Sequence, residues 1–339
     1  MKTLVTGGAG FIGSNLTNRL LNENNDVVVF DNLSRKGTEK NLHWLRSQHG
    51  KNFKLIKGDI RDYSAVKEAV KGIDLIYHCA AQVAVTTSVT NPREDFDINA
   101  LGALNILEAA REYGNNPIII FTSTNKVYGG MEDLITIEKN NRYEYKDHPS
   151  GISEDRTLDF HSPYGCSKGA ADQYVRDYAR IYGMRTVVFR MSCIYGPRQF
   201  GNEDQGWVAH FIISSILNRP LIIYGDGKQI RDILFVDDLI NAFTLATKKI
   251  DAIKGNIYNI GGGYKNTMSL LELIEKIEDN LGKKINYSFD KWRPGDQPVY
   301  VSGIEKAYKD FGWKPNINKD EGFNRLFTWI SEHKDLFDN

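Results

Sequence analysis

The sequence predicts an α/β protein: a Rossmann-type doubly wound parallel sheet joined to a smaller mixed α/β substrate-binding lobe. Three observations carry this expectation. A glycine turn, Gly7-Gly8-Ala9-Gly10-Phe11-Ile12-Gly13, follows an apolar run at the amino terminus. Short apolar runs then alternate with longer amphipathic ones, the pattern of repeated βαβ units. Beyond Arg190 the texture changes to shorter, irregular elements.

The apolar runs place strands at Leu4 to Thr6, Val27 to Phe30, Phe53 to Lys57, Leu75 to Cys79, Ile118 to Thr122 and Thr186 to Arg190. Helical periodicity fills the intervals Phe11 to Leu21, Lys40 to Gln48, Tyr63 to Lys71, Ala100 to Tyr113 and Pro163 to Tyr182. A connection rich in charge and tyrosine, Gly130 to Ser162, separates the fifth strand from the last of these helices; loops of that length inside a compact domain are usually functional or disordered. Further on, the pattern suggests helices at Trp207 to Leu217 and Val236 to Lys248, and strands at Leu221 to Tyr224 and Asn256 to Ile260. A helix capped by Ser269 and a final helix near Gly322 to Lys334 complete the chain. Residues 1–190 are thus expected to form a dinucleotide-binding domain and 191–339 mainly a second lobe, some segments of which return to the first. That lobe is expected to close over the carboxyl edge of the sheet, where doubly wound folds bind ligands.

The chain has 339 residues, with 43 acidic and 43 basic side chains. Such a balance provides no net field to draw in nucleic acid or an anionic membrane. Cys79, Cys166 and Cys193 lack the spacing of a disulfide framework or a zinc site, so no metal is expected and a reducing cytoplasm fits. The first six residues run straight into the glycines, which leaves no apolar stretch for a signal peptide, and no run approaches transmembrane length.

Gly7, Gly10 and Gly13 lie between an apolar strand and an amphipathic helix, where the backbone can approach a pyrophosphate at the helix N-terminus. Phe11 and Ile12 belong to the same turn. Asp31 ends the second strand, eighteen residues after Gly13. A carboxylate there accepts hydrogen bonds from a ribose diol and repels a 2′-phosphate, so NAD is favoured over NADP, although Arg35 nearby could receive such a phosphate. Asn32 and Ser34 share that loop. Asp59 and Ile60 follow the third strand and could flank an adenine; Ala80, Ala81 and Gln82 follow the fourth and could line the inner half of the cofactor. Each of these is equally readable as plain loop structure. Asn99 is either a helix cap or a cofactor contact.

Tyr164 and Lys168 stand four apart on a predicted helix and therefore share a face, where an ammonium can favour a phenolate. Tyr164 is thereby a candidate general base. Thr122, Ser123, Thr124 and Asn125 leave the fifth strand at its carboxyl end, and Thr124 is placed to share a proton with Tyr164 across a substrate hydroxyl.

These motifs resemble the extended short-chain dehydrogenase/reductase family of nucleotide-sugar-modifying enzymes. Gly58-Asp59-Ile60-Arg61-Asp62, Tyr195-Gly196-Pro197-Arg198 and Arg231-Asp232-Ile233-Leu234-Phe235-Val236-Asp237-Asp238 extend the resemblance almost end to end. Three stretches are similar to its CDP-paratose 2-epimerase branch: Phe30 to Gly37, Ser123 to Gly129, and Asp159 to Trp207. The resemblance implies NAD held by the glycine turn and Asp31, with Thr122 and Asn99 nearby. It also implies Tyr164 as base, Lys168 as its electrostatic partner and Thr124 as a hydroxyl bridge. A nucleotide-diphosphate sugar, CDP-linked by preference, would be gripped by Arg231 and by Arg293 of Trp292-Arg293-Pro294-Gly295-Asp296-Gln297, with Asn125, Gln205 and Trp207 as further contacts. Alone, either arginine reads equally as a surface ion pair, and Trp207 as core.

Relatives that eliminate water from the sugar carry an acidic pair after the fifth-strand hydroxyl, whereas this chain has Asn125-Lys126, so a 4,6-dehydratase is disfavoured. Gly303 is expected to begin a helix in place of an acidic cap. The activity implied is epimerisation at C2 of CDP-paratose through a transient keto sugar, giving CDP-tyvelose, as in O-antigen biosynthesis. Its rivals are a UDP-hexose 4-epimerase and a non-catalytic NAD sensor on the same scaffold. The helices Ala100 to Tyr113 and Pro163 to Tyr182 resemble those that pair subunits in the family, with Tyr174, Tyr178, Ile181 and Tyr182 as apolar contacts, so a homodimer or homotetramer is expected.

Overall fold

The structure, a computed structural model, describes residues 1–293 and 295–337; Pro294 of the Trp292 to Gln297 segment lies outside them. Seven parallel strands form the central sheet: β1 (Lys2–Thr6), β2 (Asp26–Asp31), β3 (Phe53–Lys57), β4 (Leu75–His78), β5 (Ile118–Thr124), β6 (Arg185–Met191) and β7 (Ile257–Ile260). Their order across the sheet is β7-β6-β5-β4-β1-β2-β3. The order reverses between β1 and β4, so the loops after these strands open a crevice at the carboxyl edge. Central strands are buried on both faces, which is why β1, β4 and β5 read as continuous apolar runs with no alternation.

Helices cover both faces. On one, α3 (Tyr63–Ala69), α4 (Gly102–Tyr113) and α5 (Pro163–Tyr182) pack Val66, Ile106, Leu107, Ala171 and Val175 against Leu4, Ile76, Ile119 and Val188. On the other, α1 (Phe11–Asn22) and α7 (Val236–Lys248) join a core that continues into the second lobe through α6 (Trp207–Ile216), α8 (Leu270–Leu281) and α9 (Lys319–Glu332). Helix α2 (Thr38–His49) lies against α1. Two local signals, of which the sequence predicts the Ser269 cap, set helix ends here. Ser162 caps α5 by accepting from the Gly165 amide, with Pro163 in the first turn, and Ser269 forms a capping box with Glu272 on α8.

Several elements differ from the sequence expectation. The connection from Gly130 to Ser162 contains an antiparallel hairpin, Thr136–Lys139 with Arg142–Tyr145, and a bridge from Ile152 to Ser302 that ties it to the second lobe. Short helices at Val85–Thr90 and Pro92–Phe96 run through a π-helical turn, Asp97–Leu101, into α4. Gly303 begins no helix. Its amide donates to the Ile152 carbonyl at 2.8 Å, a Cβ there would meet that oxygen at 3.0 Å, and the helix that follows starts at Glu305. Strand β7 comes from beyond residue 190 and pairs with β6, so the sheet is completed by the carboxyl-terminal half of the chain.

Beneath the carboxyl edge lies a buried ion pair. Arg190 on β6 grips both Asp172 oxygens on α5, Nε to Oδ2 at 2.9 Å and Nη2 to Oδ1 at 3.0 Å, with side chains 3% and 0% exposed. Ser123 donates to Asp172 Oδ2 at 2.8 Å and Arg190 donates to the Tyr128 hydroxyl, so every charged atom has a partner. Removing one partner strands a charge without solvent. Arg190→Ala should therefore cost about 3–5 kcal/mol of unfolding free energy in urea titration; a loss below about 1 kcal/mol would contradict the role assigned to the pair.

His78, at the end of β4, is buried with Nδ1 bonded to the Thr6 hydroxyl at 2.7 Å. Burial pulls its pKa down to about 3, with the charge of Lys168 adding to the shift. The folded state thus resists a proton that the unfolded chain accepts, and stability present above the ordinary histidine value is lost as pH falls through it toward 3. His78→Gln should lessen this acid loss, by up to about 1.4 kcal/mol per pH unit in the range below about 6.5, as read from urea midpoints across pH.

Candidate active site

Two clefts meet at the carboxyl edge of the sheet. The first, of about 400 Å³, is walled by the glycine turn, Asp31, Asn32, Ser34 and Arg35 after β2, Asp59 and Ile60 after β3, and Ala80, Ala81 and Gln82 after β4. Gly7 has φ of +66° and a Cβ there would fall 2.8 Å from the Ala80 nitrogen; at Gly13 one would fall 2.1 Å from the Gly7 carbonyl oxygen. Only glycine lets the turn close onto the helix N-terminus at the wall of the cleft. Asp31, largely buried, accepts from the Ala9 amide at 2.9 Å and the Leu33 amide at 2.8 Å. Burial raises its pKa while these backbone bonds lower it. Asp59 is held well below the usual carboxylate range, chiefly by its hydrogen bond from Arg61, and accepts also from Asn32. A long cleft, a glycine cradle and a carboxylate at its β2 end fit a dinucleotide such as NAD.

The second cleft, of about 540 Å³, runs between the sheet edge and the second lobe and is lined by Thr124, Asn125, Tyr164, Gln205, Trp207, Arg231 and Arg293. Phe11, Ile12, Val83, Gln199, Asp204 and Gln205 border both clefts, so the two are continuous. Arg231 donates to Asp296 Oδ1 at 2.9 Å and to the Ile230 and Gln297 carbonyls. Arg293 lies over the Tyr224 ring at 3.8 Å, donates to the Glu203 carbonyl and pairs with Asp204 at 3.6 Å. Gln205 accepts from Arg35 at 2.6 Å, a bridge between the loop after β2 and the loop before α6. The Trp207 indole N–H, directed toward the Cys193 sulfur, and the Gln229 amide oxygen are buried in this wall.

Helix α5 docks onto β5 residue by residue. Tyr164, Lys168 and Asp172 are spaced by four and share the inward face. Tyr164 is hydrogen-bonded by Thr124, Lys168 Nζ donates to the Thr122 carbonyl at 2.6 Å, and Asp172 accepts from Ser123. Burial pushes the Tyr164 phenol up to about 12 and Asp95 adds to this, while Thr124 and Arg35 draw it back. The helical spacing predicts that Lys168 favours the phenolate directly. In the structure the ammonium sits on the Thr122 carbonyl and 4.2 Å over the Phe121 ring, and burial draws it down to about 8.

Three residues expected at the sites lie behind the cleft walls. Lys168 is enclosed as described. Thr122 donates its hydroxyl to the His78 carbonyl at 2.9 Å. Asn99 is no helix cap: it stands inside the π-helical turn, accepts from the Gln82 amide at 3.0 Å and donates to Ser167 and Asp95, thereby fixing the Gln82 loop from behind. The sequence reading passed over Asp172, although its spacing of four from Lys168 was visible. It also assigned no role to Lys126, Asp296, Glu203 and Asp204, which lie within quoted motifs or beside them. Glu132, Asp159 and His161 approach one another within 4.8 Å, but they are exposed and outside both clefts.

Fold and site together define an enzyme of the extended short-chain dehydrogenase/reductase type, built for a dinucleotide and a second ligand. More particularly, the chain belongs to the GDP-mannose 4,6 dehydratase family, which it matches over residues 4–326. It is 46% identical to the CDP-paratose 2-epimerase of Salmonella typhi over 98% of this chain and 99% of that one. It is 33% identical to the UDP-glucose 4-epimerase of Mycolicibacterium smegmatis over 97% and 98%. Among solved structures, the UDP-glucuronic acid 4-epimerase of Bacillus cereus, in complex with UDP-glucuronic acid and NAD, superposes with a TM-score of 0.85 at 29% identity, covering 98% of this chain and 99% of that one.

A Cβ at Gly10 meets only the Gly7 carbonyl oxygen, at 3.1 Å, so a slight shift accommodates it within the protein, and the methyl would narrow the cleft that Gly10 lines, where a dinucleotide would bind. Gly10→Ala should fold and yet bind NAD at least about tenfold more weakly in a fluorescence titration, whereas Gly13→Ala should also lower the melting temperature.

Proposed function

We propose that this protein is an NAD-dependent nucleotide-sugar epimerase that inverts C2 of CDP-paratose to give CDP-tyvelose. The observation that carries the reading is that Tyr164 and Thr124 share the wall of the second cleft, which is continuous with the dinucleotide cleft through Phe11, Ile12 and Val83. The 46% identity over nearly the whole length of a CDP-paratose 2-epimerase supports the choice of sugar and base. Although the family takes its name from a dehydratase, Asn125 and Lys126 stand where elimination would call for carboxyl groups.

Bound NAD supplies a reversible hydride acceptor and a positively charged ring. Tyr164 takes the proton of the C2 hydroxyl as that carbon is oxidised, and Thr124 holds the oxygen by hydrogen bond. Lys168, one turn below, contributes positive charge from a position fixed by the Thr122 carbonyl. Arg231 and Arg293 grip the diphosphate while the keto sugar turns over, and Tyr164 returns the proton when C2 is reduced from the other face. Asn125, Gln205 and Trp207 complete the sugar and base contacts, and the residues lining the first cleft hold NAD.

Three free cysteines suit a reducing cytoplasm, and the product suits O-antigen assembly. No helix among the described residues is long and apolar enough to cross a membrane. Subunits would pair through α4 and α5, where Tyr113, Tyr174, Ile181 and Tyr182 are exposed. Tyr178 is excluded from that contact by its position: it is buried and donates to Glu108 on α4.

The test is turnover of CDP-paratose and of UDP-glucose with NAD, with products read by NMR. Inversion at C2 of the CDP sugar is expected; C4 inversion of the UDP sugar alone would establish the 4-epimerase instead, and NAD binding without turnover of either would favour a sensor. Tyr164→Phe should lower kcat by about 10²–10⁴ while NAD binding persists; full activity would remove the base.

A further inference from the structure

Lys126 follows the Thr124–Asn125 pair on a short 3-10 turn, and its side chain, 22% exposed, lines the second cleft. Its Nζ reaches the Gly295 carbonyl at 3.3 Å and Asp296 Oδ1 at 3.8 Å. The same Asp296 oxygen accepts from Arg231 at 2.9 Å. One carboxylate is therefore shared between two cations, and the group carries an excess positive charge inside a partly dry cleft. An ammonium has three donors; among the described residues, the hydrogen bond of this one to the Gly295 carbonyl is long, and the Asp296 carboxylate stands 3.8 Å away. Its other charged or titratable neighbours are Arg231 and Cys193, so it belongs to the end of the cleft that carries the arginines.

Burial draws the Lys126 pKa down to about 8, and Arg231 pulls in the same direction, while Asp296 and Cys193 oppose it. A second cation beside an arginine, with a single carboxylate between them, suits a ligand bearing more than one negative charge.

We propose that Lys126 is a further substrate-binding residue, whose ammonium forms with Arg231 a two-cation seat for the diphosphate of the nucleotide sugar. The proposal rests on the nucleotide-sugar reading of the cleft and is independent of which base or which sugar carbon is chosen. Binding of the diphosphate favours the charged lysine, so affinity is full below about pH 8 and declines above it as the free ammonium loses its proton.

Isothermal titration of the NAD-loaded protein with CDP and with cytidine tests this. For the unaltered protein, CDP affinity should fall by about tenfold between about pH 7 and pH 9, with cytidine affinity flat. Lys126→Gln should bind CDP about tenfold more weakly at neutral pH, keep its cytidine affinity and lose the alkaline decline. Lys126→Arg should retain CDP affinity at alkaline pH, because guanidinium stays charged. Cys193→Ser should leave the decline in place, since that thiol is pushed up by burial. A flat CDP profile in the unaltered protein, a Lys126→Gln variant that binds CDP as tightly, or one that loses CDP and cytidine equally would each overturn the proposal. UDP titrated alongside separates the two readings: preference for UDP would refute the choice of base and leave the phosphate dependence on Lys126 standing.

Discussion

The carboxylate of Asp172, enclosed without solvent between α5 and the sheet, is the constraint on which the rest of the site depends. It is held by two nitrogens of Arg190 and the Ser123 hydroxyl, so the helix can neither slide nor rotate without leaving a charge unpaired. Tyr164 stands two turns earlier on the same face and inherits that register. Lys168, between them, is pinned to a backbone carbonyl of β5. A helix–strand contact that in most proteins is apolar is here a row of polar bonds, and its last member faces the cleft as Thr124 with Tyr164. The desolvation cost is offset by full pairing, and what the arrangement contributes is a phenol aimed to within hydrogen-bond tolerance.

The loop from Gln199 to Gly206 joins the two ligand sites. It borders both clefts and is held near its carboxyl end by two arginines, Arg35 from the loop after β2 on Gln205 and Arg293 from the second lobe on Glu203 and Asp204. Acidic side chains of this loop, Glu203 and Asp204, occupy Arg293. A diphosphate that engages Arg293 competes with these carboxylates, and a cofactor that engages Arg35 competes with Gln205. Each ligand thus bears on the same stretch of backbone, and any coupling between their affinities is reciprocal.

Much of this was legible in the sequence because it rests on local rules. The glycine spacing, the Asp31 position and the ends of α5 follow from turn sterics, strand length and capping, and the observed α5 runs from Pro163 to Tyr182 as its pattern indicates. What escaped was decided by tertiary contact. Asn99 carries a capping residue's chemistry, yet the chain continues as helix through it, because the Gln82 loop and Ser167 satisfy its amide. Gly303 looks like a degraded cap and is instead a close backbone approach to Ile152. The hairpin Thr136–Lys139 with Arg142–Tyr145 has mixed polarity along both strands, since its faces are only partly buried, and so gives no clean alternation. Lys168 shares the Tyr164 face as helical geometry requires, but which oxygen its ammonium would choose depended on β5.

Because residues 257–260 hydrogen-bond to β6, the chain leaves the sheet after Met191, builds much of the second lobe, and comes back to finish the first. A polypeptide truncated near residue 190 would display the whole flank of β6 as an unsatisfied edge, an invitation to pair with another molecule. The two lobes are therefore threaded through one another, and neither is an independently heritable module: a gene fusion or recombination event that exchanged the carboxyl-terminal half would have to carry the last strand of the sheet along with it.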